Sequence, residues 1–71
     1  MPEHYKRRIQ ELIIVLESEP VPAKLYDVEK LEGGIDEYRI RIGGIRVIYR
    51  VLWEIAQVEV LKIEWRGRAY K

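Results

Sequence analysis

Five arginines and one lysine stand at even spacings in the second half of this 71-residue chain: Arg39 and Arg41, Arg46 and Arg50, Lys62 and Arg66. Guanidinium groups are permanent cations whose planar forks match phosphate oxygens. Gathered on one surface, such groups hold a polyanion and stabilise charge that develops on a phosphate. The segments around them alternate. Residues 36–53 read DEYRIRIGGIRVIYRVLW and residues 58–66 read VEVLKIEWR. Successive strand residues point to opposite faces. Tyr38, Ile40 and Ile42 therefore share one face with Val47, Tyr49, Val51, Leu61, Ile63 and Trp65. If that apolar set covers the core, the six cations face outward together, with Glu64 as the acid among them. Like charges on neighbouring strands repel, so a surface built only for stability is expected to mix its signs. The competing reading is a solvated face whose Arg and Lys discourage edge-to-edge aggregation, with Arg50 or Lys62 paired to Glu64.

The elements that must position these groups are few. The length allows one domain, residues 1–71, with a small core. Apolar residues make up 48% of the chain, too many for a disordered one. Cysteine is absent and His4 is the single histidine, which argues against a disulfide scaffold, a thiolate nucleophile and a conventional zinc site. No metal or other cofactor is expected. The apolar runs are too short to span a membrane, and the opening Met-Pro-Glu-His does not read as a signal peptide, so the expected compartment is the cytoplasm. Net charge is only +1, yet residues 1–35 hold five Lys/Arg against seven Asp/Glu and residues 36–71 hold eight against five. The chain has no Asn or Thr and 35% charged residues, a pattern expected of a thermophilic source.

Residues 3–19 read as an amphipathic helix, with Tyr5, Ile9, Leu12, Ile13 and Leu16 at helical spacing. Pro2 suits its start, and Pro20 and Pro22 end it. Ile14 and Val15 widen the apolar stripe beyond what one helix on a small sheet needs. Either a second surface covers them or a twisted sheet reaches further round the helix. Residues 21–32 read as a short helix or an irregular packed segment. Gly43-Gly44 marks a two-residue hairpin turn, and Glu54–Gln57 marks a second turn. Tyr38, Tyr49 and Trp65 are assigned to the core, Trp53 to the core in preference to a stacking platform, and His4 to the surface. The expected architecture is α+β, with one long N-terminal helix packed on a three-stranded antiparallel meander.

The run Tyr38-Arg-Ile-Arg-Ile-Gly-Gly-Ile-Arg-Val-Ile-Tyr49, with Val60-Leu-Lys-Ile-Glu-Trp-Arg-Gly-Arg-Ala-Tyr70 after it, resembles the RelE/ParE superfamily of toxins from toxin–antitoxin systems. Pro2-Glu-His-Tyr-Lys-Arg-Arg-Ile9 resembles the second helix of that family. The resemblance implies helices on an antiparallel sheet and, for the RelE branch, ribosome-dependent cleavage of messenger RNA. It also implies neutralisation by an antitoxin peptide. The family's first strand and helix have no counterpart in these residues, so a sheet edge or helix face is expected to need covering. A homodimer through Ile14, Val15 or an open strand edge is one way to do so.

Carried over position by position, the resemblance makes Arg46, Arg66 and Tyr70 the catalytic candidates and Arg39 and Arg41 RNA-binding ones. Arg50 and Lys62 join the RNA-binding set from strand alternation. The implied chemistry is attack of a ribose 2′-hydroxyl on the adjacent phosphate without a metal, with Arg46 and Arg66 as the electrostatic clamp. The family's common Gly-His-Arg reads Glu64-Trp65-Arg66 here, and Arg is a poor general base. Glu64 is the alternative base. Two further readings therefore stay open: a non-catalytic protein that binds RNA or an antitoxin, and a ParE-like inhibitor of DNA gyrase.

Overall fold

The computed structural model describes residues 2–65. Helix α1 (Glu3–Ser18) precedes strands β1 (Asp27–Lys30), β2 (Glu37–Ile42) and β3 (Ile45–Leu52), a 3-10 turn (Trp53–Ile55) and strand β4 (Gln57–Trp65). All neighbouring strands are antiparallel, in the order β1-β2-β3-β4. The sheet thus has four strands where the sequence pattern predicts three. The extra strand is β1, which pairs Val28 with Ile40 and Glu29 with Arg39. With one apolar residue in Asp-Val-Glu-Lys, it carries no alternation of its own.

Helix α1 starts after Pro2, which caps it in an extended conformation, and places Glu3 in its first turn, where the helix dipole favours an acid. It ends one residue short of the expected boundary, with Glu19 already extended ahead of Pro20. Leu12 and Leu16 are buried against Tyr38, Ile40, Ile42, Ile45, Val47, Tyr49 and Val51, and Tyr5, Ile9, Val58 and Trp65 pack around them. Tyr49 ties the layers together. Its ring lies 5.7 Å from that of Tyr38, and its hydroxyl donates to the Pro20 carbonyl at 2.7 Å, where the chain leaves the helix. Burial, with Tyr38 adding to it, pushes the Tyr49 phenol up to about 12.

The Gly43-Gly44 turn closes the β2–β3 hairpin directly, with Ile42 opposite Ile45. Gly43 takes φ +54°, and a Cβ there would sit 3.1 Å from the Tyr5 hydroxyl, so both the turn and the helix above it ask for glycine.

A bulge in β4 departs from simple alternation. Tyr49 faces Val60 and Ile48 faces Lys62, leaving Leu61 as the extra residue. Beyond the bulge the expected faces hold, with Ile63 opposite Val47 and Glu64 opposite Arg46. Before it the faces exchange, so Val58 and Val60 turn toward the helix side and Glu59 turns away. Leu61 and Ile63, expected in the core, are 40% and 43% exposed, because they lie at the open edge of the sheet. Trp53, also expected in the core, is 53% exposed at the β3–β4 turn. His4 is exposed as expected. Ile14 is 66% exposed and Val15 is half-buried, so the wide stripe is only partly covered by the sheet.

Candidate functional site

The sheet face opposite α1 carries the cations singled out above. Arg39 and Arg41 come from β2, Arg46 and Arg50 from β3, and Lys62 from β4. The registers align them in rows. Arg41 stands between Asp27 and Arg46, and Arg46 stands between Arg41 and Glu64. Arg39 lies between Glu29 and Ile48, and Ile48 faces Lys62. Arg50 lies between Glu37 and Glu59. Arg66 and Tyr70 lie outside the described residues.

The face is not a single-sign surface. Among the described residues, Arg39, Arg41, Arg46, Arg50 and Lys62 share it with Asp27, Glu29, Glu37, Glu59 and Glu64, five of each sign. The acids that alternation overlooked arrive by two routes. Strand β1 brings Asp27 and Glu29, and the Leu61 bulge moves Glu59 across the sheet. Glu37 belongs to the β2 alternation, two residues before Arg39, and is the one further acid, beside Glu64, that alternation alone places on this face.

Most of the cations are engaged. Arg39 forms an ion pair with Glu29. Arg50 reaches Glu37 at 3.0 Å and Glu59 at 3.3 Å, and these carboxylates, Glu37 first, raise its already high pKa. Lys62 meets Glu64 at 3.1 Å. Glu64, the conjectured base, is therefore an ion-pair partner here. Among the described residues Arg41 and Arg46 form no ion pair, although they stand directly opposite each other on adjoining strands. Opposed like charges cost about 0.2–1 kcal/mol relative to a neutral pair. An anion bound between them relieves that repulsion and meets two forked donors at the turn end of the β2–β3 hairpin. Trp65, opposite Ile45, is the last described residue before Arg66 and stands at the same end of the sheet.

The sequence and the fold of this chain are met in known proteins. The family model for the "ParE toxin of type II toxin-antitoxin system, parDE" matches residues 2–70. The chain belongs to the RelE/ParE toxin superfamily. The "Putative toxin RelE1" of Methanocaldococcus jannaschii is 38% identical over 71 residues, which is all of this chain and 79% of that one. A crystal structure of an archaeal RelE-RelB complex from Pyrococcus horikoshii OT3 matches 96% of this chain and 80% of its counterpart, at 46% identity and a TM-score of 0.82. This RelE/ParE member therefore shares both the sequence and the α+β architecture of archaeal RelE, and spans about four fifths of the length of those relatives. Among its described residues no helix is long and apolar enough to cross a membrane.

Proposed function

We propose that this chain acts as a RelE-type toxin that engages messenger RNA on the ribosome through the outward face of the sheet. The observation that carries the reading is the Arg41–Arg46 pair, two opposed guanidinium groups without a carboxylate partner among the described residues. A bridging phosphate satisfies both. Arg39, Arg50 and Lys62 hold neighbouring phosphates by exchanging a surface carboxylate for a phosphate oxygen, a modest cost because exposed ion pairs are weak. In the reaction the ribose 2′-oxygen attacks the adjacent phosphorus and gives its proton to Glu64, the carboxylate opposite Arg46 in register. The bond from phosphorus to the 5′ oxygen breaks, and that oxygen leaves with a proton from solvent. The products are a 2′,3′-cyclic phosphate and a 5′-hydroxyl. Arg46 and Arg66 stabilise the charged pentacoordinate phosphorus, and Tyr70 stacks on a base. The site is the cytoplasmic translation machinery. The inhibitor is an antitoxin peptide, a reading supported by the archaeal relative solved with RelB.

The even balance of charge among the described residues of the face favours a second reading. A protein-directed toxin, acting on DNA gyrase as a ParE-type inhibitor or simply binding its antitoxin, needs no net cationic surface. Binding to purified ribosomes across a salt series separates the two. The RNA-directed reading predicts affinity that falls steeply with salt and weakens in Arg46→Ala. No salt-sensitive affinity, together with inhibition of DNA supercoiling by purified gyrase, overturns it.

A further inference from the structure

The two edges of the sheet are built differently. Strand β1 has four residues, three of them charged, and follows Pro20 and Pro22. Such an edge discourages pairing. Strand β4 is the longest strand, contains no proline, and leaves Val60, Leu61 and Ile63 each about two-fifths exposed. Beside it, a groove of about 610 Å³ runs between the sheet and α1, lined by Ile13, Leu16, Trp53, Val58 and Val60. Ile13 is 43% exposed along this groove. An open strand edge and an open apolar groove therefore lie side by side.

We propose that β4 pairs with β4 of a second copy of this chain, antiparallel about a two-fold axis. The argument is the self-complementarity that the bulge creates. On β4, Val58, Val60, Leu61 and Ile63 lie on the helix side or at the bulge, and Gln57, Glu59, Lys62 and Glu64 lie on the outward side. One antiparallel register joins Val58 to Ile63, Glu59 to Lys62 and Val60 to Leu61 of the partner copy, and Gln57 to Glu64 at the ends. Every apolar residue then meets an apolar one on the helix side, and every outward residue meets an outward one. The two-fold makes the Glu59–Lys62 pair occur twice, each a cross-strand pair of opposite charge. No other offset of comparable overlap keeps the faces in phase, and shifting the pairing by two residues sets Glu59 against Glu64. Without the bulge the same register would bring Val58 against an outward residue.

The pairing joins two four-stranded sheets into one and covers the β4 edge of each copy, leaving the short, charged β1 strands as the outer edges. Ile13 of α1 lines the groove beside β4, so the dyad also brings the Ile13 flanks of the two helices toward each other over the joined strands. The outward faces lie side by side, each with its own Arg41–Arg46 pair uncovered. The interface needs no antitoxin and no RNA.

Sedimentation equilibrium on the 71-residue chain at tens of micromolar, with charge-reversed variants, tests the register. Wild type is expected at twice its 8.5 kDa mass. Glu59→Lys alone sets two Lys–Lys pairs across the dyad and Lys62→Glu alone sets two Glu–Glu pairs. Each is expected to raise the dimer Kd on the order of tenfold. The double variant E59K/K62E restores the pairs and returns the Kd toward wild type. Far-ultraviolet circular dichroism confirms that each variant is folded. Val60→Lys, which leaves the outward charges alone, is expected to abolish the dimer. A monomer throughout this range, with the edge left for some other segment or partner, overturns the proposal. A dimer indifferent to all four variants overturns it too, as do single variants that weaken the dimer with a double variant that fails to rescue it.

Discussion

Replacing Arg46 separates what the arginine does for the fold from what it does for a ligand. In register it meets Arg41 on one side and Glu64 on the other. Arg46→Ala removes one repulsive and one attractive cross-strand pair, each worth about 0.2–1 kcal/mol. The two largely cancel, so the expected change in unfolding free energy is within about 0.5 kcal/mol of zero. Arg41→Ala, flanked by Asp27 and Arg46, gives the same expectation. The pair together shows a coupling: the second removal no longer relieves a repulsion, so the double variant is less stable than the sum of the single changes by a few tenths of a kcal/mol. Urea denaturation of the four proteins measures this. On the ligand side, each lost phosphate contact flattens the slope of log K against log salt by about 0.7 for single-stranded RNA. A loss of more than about 1.5 kcal/mol of stability in Arg46→Ala would make the residue structural. An unchanged salt slope in both single variants would mean that no phosphate sits on this pair.

Tyr49→Phe leaves the Pro20 carbonyl without its donor at 2.7 Å, and a loss of about 1–2 kcal/mol in thermal or chemical unfolding is expected. The same phenol controls the alkaline limb. Its folded pKa, about 12, lies above the ordinary 10, so the unfolded chain gives up this proton first as pH rises. Its contribution is intact below pH 10 and is lost between 10 and 12, and Tyr49→Phe should flatten that decline in pH-dependent melting. Gly43→Ala forces a side chain into φ +54° beside the Tyr5 hydroxyl and should cost about 1 kcal/mol or more by the same melts. A neutral result would mean the turn relaxes away from α1.

Much of this structure is written in local patterns. The α1 limits, the Gly43-Gly44 turn and the buried faces of β2 and β3 follow from period and turn chemistry, since each strand there contributes three or four apolar residues to one side. Tyr38 and Tyr49 fall in the core for the same reason. Strand β1 is invisible because its four residues hold only Val28 to bury, and it is a strand only because β2 offers an edge. The bulge at Leu61 is equally silent. One added residue leaves the composition of β4 unchanged but sends Glu59 to the other face, and with it one of the carboxylates that hold Arg50. The basic face was therefore legible as a set of cations and illegible as the mixed surface that its described residues form. Its informative part narrows to Arg41 and Arg46, which the sequence lists beside the others without distinction. Trp53 is half exposed because it lines the open groove beside α1 and is not covered by the helix.

The termini of cut message test the central claim most directly. Messenger RNA from a translating extract supplied with the protein should be cleaved within ribosome-occupied codons, leaving a 2′,3′-cyclic phosphate upstream and a 5′-hydroxyl downstream, the products of 2′-oxygen attack. Arg46→Ala and Arg66→Ala, folded as wild type, should lower the cleavage rate by at least a hundredfold if each stabilises the transition state as an electrostatic clamp does. Message that stays intact with folded wild type, or cleavage that survives both substitutions, would contradict the account.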